Sequence, residues 1–166
     1  MKNEAKLYLI CPDCQIENII RSKFGKDSYF LTALGAVFNM SEFRHAEEVN
    51  HYINKLDISE IVIVTDVDCT FKKTVVCQEN NFDTRAEREL TKLRVHNNYL
   101  FENLDKEEEK EMLAKLNIYQ QTLNLLNIAF IGNKIRDNKI KLSGLIYHRK
   151  KQLFEKKSYA EIHSVI

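Results

Sequence analysis

The sequence predicts a single α/β domain over residues 1–166, built on a mainly parallel sheet of four to five strands flanked by helices. Three observations lead there. Ile61-Val62-Ile63-Val64 is an unbroken β-branched apolar run, the composition of a strand buried on both faces. A buried helix segment is the other reading of such a run, but Val and Ile form helices less readily than Leu or Ala. Lys6–Ile10 (KLYLI) is a second short apolar run. Between the two lie helical periodicities and one more short strand, in the βαβαβ order that parallel sheets with right-handed crossovers produce.

Residues 15–24 place Ile16, Ile19, Ile20 and Phe24 on one helical stripe, and Gly25 is a natural stop. Residues 29–32 read as a short strand, followed by a looser segment, AlaLeuGlyAlaValPhe. Ser41 is the expected N-cap of a helix on which Phe43, Ala46, Val49, Ile53 and Leu56 recur at helical spacing. Asp57-Ile58-Ser59 then turns the chain into the Ile61 strand. Residues 70–98 are harder to place. Within them TRAERELTKL, residues 84–93, has helical propensity and the charge pattern of a solvated surface. From about Lys106 a stronger helix carries Met112, Leu116, Tyr119, Leu123 and Leu126. Its acidic start at Asp105, Glu107, Glu108 and Glu109 suits a helix N-terminus. Residues 139–147 are the last strand candidate, with Gly144 inside it, where glycine marks a bulge or the close approach of another backbone. The tail from His148 is basic and amphipathic. No repeat or low-complexity linker divides the chain.

A chain of 166 residues suffices for one domain with a real core. Its 25 basic and 24 acidic residues nearly cancel, so no global field draws in nucleic acid or an anionic membrane. The start, MKNEAK, has no apolar signal region, and no apolar run approaches the roughly 18–20 residues a bilayer requires. Four cysteines in this length make no disulfide framework. Three of them sit beside carboxylates at predicted strand ends, which favours a reduced, cytoplasmic protein with a metal or redox site.

Those strand ends hold the chemistry. Cys11-Pro12-Asp13-Cys14 follows the first strand, and Thr65-Asp66-Val67-Asp68-Cys69 follows the Ile61 run. Open α/β sheets bind ligands at the carboxyl ends of their strands. If the two strands are parallel neighbours, Cys11, Asp13, Cys14, Asp66, Asp68 and Cys69 share one region. Cys11-x-x-Cys14 fits half of a zinc site or a redox pair at a helix N-terminus. Against the redox reading, thioredoxin-like folds need a proline opposite the pair, and the only proline is Pro12. Plainer readings remain for individual residues. Cys69 alone reads as a buried thiol, Asp68 as a capping or solvated carboxylate, and Cys77 as core. His45, His51, His96, His148 and His163 all fall on predicted helices or loops away from the strand ends.

This order of motifs resembles the β-class carbonic anhydrases. In that family the first motif is usually Cys-x-Asp-Ser-Arg and the second Gly-His-x-x-Cys-Gly. Here they read Cys11-Pro12-Asp13-Cys14-Gln15 and Thr65-Asp66-Val67-Asp68-Cys69-Thr70. The segment EEVNHYINKLDISEIVIV is similar to the family's approach to the second motif. NIYQQTLNLLNIAFIGNKIRDNKIKLSGLIYHRKKQLF is similar to its closing helix and strand, with Gly144 and Tyr147 at matching places. Residues 70–105 diverge.

The resemblance implies the family fold, a homodimer, and zinc held by Cys11, Cys69 and the residue at the histidine position, Asp66. It implies a catalytic role for Asp13 and carbon dioxide or bicarbonate as substrate. The departures lie at the chemistry. A carboxylate at Asp66 is an acceptable zinc ligand, but it adds negative charge where imidazole is neutral, and that opposes ionisation of a bound water. Gln15 replaces the arginine that partners the motif aspartate; its amide can hold Asp13 but supplies no positive charge. Cys14 replaces serine and adds a possible thiolate ligand. The expectation is therefore a carbonic-anhydrase-like protein with weak or no carbon dioxide hydration. The alternatives are an active zinc enzyme on a rearranged site, or a non-catalytic dimeric metal-binding or interaction module.

Overall fold

In the computed structural model, which describes residues 4–39, 43–79 and 81–165 (backbone alone for 43–46), five strands form one sheet. They are β1 (Lys6–Ile10), β2 (Ser28–Thr32), β3 (Glu60–Asp66), β4 (Lys141–His148) and β5 (Leu153–Lys157), in the order β2-β1-β3-β4-β5. The first four run parallel, and β5 pairs antiparallel with β4. The central strand is β3, and every one of its residues is buried, as its unbroken apolar run requires. The expected mainly parallel sheet is present, with α1 (Glu17–Phe24) and α2 (Phe43–Lys55) among its flanking helices. The proposed cap at Ser41 lies outside the described residues, as do the side chains of Phe43 and Ala46.

The stretch that was hard to place is helical. It forms α3 (Thr70–Cys77) and α4 (Arg85–His96). Helix α3 is rich in Thr and Val, which propensity disfavours. It is helical because Phe71, Lys72, Thr74, Val75 and Val76 are all buried, and tertiary packing overrides propensity. Helix α4 starts with a reciprocal cap between Thr84 and Glu87. It is not solvated all round: Ala86, Glu87 and Leu90 are buried, and Ala86 and Leu90 close on Gly35.

The long helix α5 (Lys106–Leu126) opens on the same kind of cap, from Asp105 and Glu108. Its buried arc is wider than the predicted stripe. Leu116 is buried as expected, but Leu113, Ala114, Asn117, Ile118, Gln121 and Leu125 join it while Met112, Tyr119 and Leu123 lie at the flank. The reason is that α5 serves two neighbours, the sheet and the backbone of residues 33–38. Asn117 donates to the carbonyls of Gly35 (3.1 Å) and Ala36 (3.2 Å), and Gln121 accepts from the Phe38 amide at 3.0 Å. Gly144 marks a close approach, but of a side chain rather than a backbone. A Cβ there would stand 2.9 Å from Ile118 Cγ2. Three elements of the C-terminal third have no clear sequence signal: α6 (Ala129–Arg136), β5 and α7 (Tyr159–His163).

Candidate metal centre

Strands β1 and β3 are hydrogen-bonded parallel neighbours, with Leu9 opposite Ile63, so their carboxyl ends open at one edge. Cys11 leaves β1 directly into a 3-10 turn, Pro12–Cys14, whose Cys14 amide donates to the Cys11 carbonyl at 3.2 Å. The turn ends at Gln15 in a left-handed conformation, φ 51°, and folds the Cys14 side chain back toward Cys11. From β3 the chain turns through Val67 and Asp68, with the Cys69 amide donating to the Asp66 carbonyl at 3.2 Å. Cys69 is the N-cap of α3.

The two turns gather three buried free thiols, Cys11, Cys14 and Cys69, whose sulfurs all lie within 4.8 Å of one another. Cys11 Sγ and Cys69 Sγ are 3.8 Å apart. Two sulfurs bound to one tetrahedral zinc at about 2.3 Å each would stand about 3.8 Å apart, so the donor set fits that ion. Asp66 does not belong to this group. Its Oδ2 accepts from Arg149 Nη2 at 2.7 Å and Nε at 3.1 Å, and its Oδ1 accepts from the Asp68 amide at 2.8 Å. The sequence offers no local sign of this pair, because Arg149 lies in the basic tail beyond β4.

The thiols share their protons unequally. Cys69 is lowered to about 2 because the Cys11 and Cys14 thiols donate to it; burial opposes this, while the Lys72 charge and the Phe71 amide at the start of α3 support it. Hydrogen bonding with Cys14 favours the Cys11 thiolate, but sharing with Cys69 and burial outweigh that and push Cys11 up. Cys14 is pushed up by the bonds to Cys11 and Cys69, and by burial. Of the three, Cys69 is thus the thiol whose ionised form is favoured, and it stands at the head of a helix. Cys11 also accepts the Gly35 amide at 3.1 Å. Gly35 has φ +64°, in the region that disfavours a side chain, and α5 holds its carbonyl. The sequence marked this segment only as loose.

The remaining expected residues are placed as follows. Asp13 is exposed, and its Oδ2 accepts from the Thr70 amide at 3.3 Å. Gln15 is exposed, and among the described residues no hydrogen bond joins it to Asp13. Asp68 pairs with Lys110 at 2.9 Å, tying the second turn to α5. His148 differs from expectation in ending β4, but its ring faces Glu111 and Glu155. A polar cleft of about 600 Å³ lies elsewhere, lined by residues such as Lys92, Gln121 and Asn124, and includes none of the cysteines.

The fold and the site together define the class: a mainly parallel α/β sheet with three thiols gathered at the ends of two neighbouring strands. Within it, the family model described as carbonic anhydrase matches residues 7–153, and the chain belongs to that family. Solved structures agree on the fold. A β-carbonic anhydrase of Aspergillus fumigatus, CafD, superposes with a TM-score of 0.80 at 17% identity, covering 94% of this chain and 90% of that one. CafA of the same fungus gives 0.75 at 14% identity, covering 97% and 80%. A tetrameric β-carbonic anhydrase of Sordaria macrospora gives 0.77 at 15% identity, covering 94% and 81%. No curated protein matches the sequence. Among the described residues, no helix is long and apolar enough to cross a membrane.

Proposed function

We propose that this protein binds zinc through Cys11, Cys69 and Cys14, and that it hydrates carbon dioxide weakly or not at all. Cys14 takes the third place here instead of Asp66, on one observation: the three sulfurs crowd within 4.8 Å while the Asp66 carboxylate is engaged by Arg149. When bound, zinc supplies Lewis acidity and a water of lowered pKa. Three thiolates surround that position with more negative charge than two thiolates and an imidazole, which opposes the lowering. Asp13, proposed to act on the substrate side, accepts from the Thr70 amide, and Gln15 brings it no positive charge. The buried thiols suit a reducing compartment such as the cytoplasm, and a homodimer is the proposed assembly.

Elemental analysis should find one zinc per chain, and stopped-flow hydration should not rise above the buffer blank. A chain without zinc, or a fast enzyme, overturns the proposal. One observation favours a second reading, in which activity survives on a rearranged site. The buried Asp66 and the exposed Arg149 form a carboxylate–guanidinium pair, the kind of pair that Asp13 and Gln15 no longer make. On that reading hydration is measurable, and Asp66→Asn abolishes it without removing zinc.

A further inference from the structure

We propose that Lys72 is the counter-charge of the three-thiol centre and sets how tightly it holds a metal. This rests on the reading of that centre as a metal site. Lys72 is the third residue of α3, one turn beyond the N-cap Cys69. It is 0% exposed, among the largest fully buried side chains of the protein. Its Nζ has no hydrogen-bond partner among the described residues. Buried ammonium groups are ordinarily paired, because leaving water without a partner is costly. Lys110, also buried, obeys that rule with Asp68 and Glu107 at 2.9 and 2.8 Å. Lys72 is the exception, and it stands on the helix whose first turn meets the thiols.

The other charges around the strand ends are already balanced. Asp66 is matched by Arg149 and Asp68 by Lys110, while Asp13 is exposed to solvent. That leaves the sulfurs as the buried negative charge without a balancing cation. A dication on three thiolates carries one net negative charge, and one ammonium cancels it. Lys72 therefore tolerates burial because of the cluster, and the cluster holds a metal at a lower electrostatic cost because of Lys72.

The test compares Lys72→Met and Lys72→Gln with the parent, using zinc and cobalt(II) themselves as probes. Zinc affinity is read by competition with a chromophoric chelator, thiolate coordination by the cobalt charge-transfer band, and stability by melting the metal-free chain. A structural lysine and a counter-charge move these readouts differently. The proposal expects Lys72→Met to weaken zinc at least tenfold with one-to-one stoichiometry and the three-thiolate cobalt band retained. The metal-free chain should melt at the same temperature or higher, because an unpaired buried charge has gone. Zinc affinity within twofold of the parent in both variants overturns the proposal, as does a loss of metal-free stability in both. Absence of zinc binding in the parent itself overturns the metal centre, and the role of Lys72 with it.

Discussion

The two ends of β3 carry two buried carboxylates with opposite consequences. At the amino end Glu60 is 6% exposed, accepts from Ser143 Oγ at 2.6 Å and pairs with Lys6 at 2.8 Å. At the carboxyl end Asp66 is 1% exposed and pairs with Arg149. Both have charged or hydrogen-bonding partners. They differ in company. Glu60 is met by Lys6, Lys156 and Ser143. Asp66 sits beside a turn that presents Cys69 to Cys11 and Cys14. Of the two ends, only the carboxyl one brings three thiols together, and the proposed metal centre rests on that convergence.

The comparison breaks most sharply at sulfur. Cys69→Ser should lower zinc affinity by more than about a hundredfold, since losing even an outer partner of a metal ligand costs about 10–100-fold. Chelator competition measures it, and unchanged affinity would remove Cys69 from the centre. Asp66→Asn should leave zinc stoichiometry intact while destabilising the metal-free fold by about 2–3 kcal/mol in urea titration. That is below the 3–5 kcal/mol of a fully buried pair, because the Arg149 side chain is 48% exposed and water screens it. Loss of zinc from Asp66→Asn would return Asp66 to the ligand set.

At the other end, Glu60→Gln should cost about 1–2 kcal/mol near neutral pH and leave zinc binding alone. Burial works against the Glu60 charge, but Lys6 and Ser143 outweigh it and hold the carboxyl below its ordinary 4.5. Stability from a depressed carboxyl is complete above the unfolded value and is lost as pH falls through the folded one. The gap between parent and Glu60→Gln should thus close below about pH 4.5. A gap that persists under acid would assign the loss to packing. The smallest effect is expected beside mid-strand. Gly144→Ala, crowding Ile118 at 2.9 Å, should lower stability by about 1 kcal/mol, read as a reduced melting temperature. No change would mean that Ile118 turns aside freely.

Residues 6–69 were legible because their signals are local. Apolar runs of four or five residues separated by helical stripes specify βαβαβ, and cysteines directly after two such runs must share an edge if the strands are neighbours. The proximity of Cys11 and Cys69 follows from that register. Helix α3 was not legible, since its burial comes from partners on α4 and α5 and its Thr and Val content argues the other way. Strand β5 was hidden in a basic tail: an edge strand needs no unbroken apolar run, and charged side chains protect it.

The choice between Cys14 and Asp66 marks the boundary. Sequence alone determined that three thiols and three carboxylates would lie at the ends of the first and third strands, because strand order and spacing are properties of the chain. It could not determine which of them would face one another. That depended on a 3-10 turn bringing Cys14 back to Cys11, on Arg149 returning from 83 residues away to occupy Asp66, and on α5 pressing the Gly35 amide onto Cys11. Each is a short-range contact between segments distant in sequence, and its energy exists only once the sheet has brought them together.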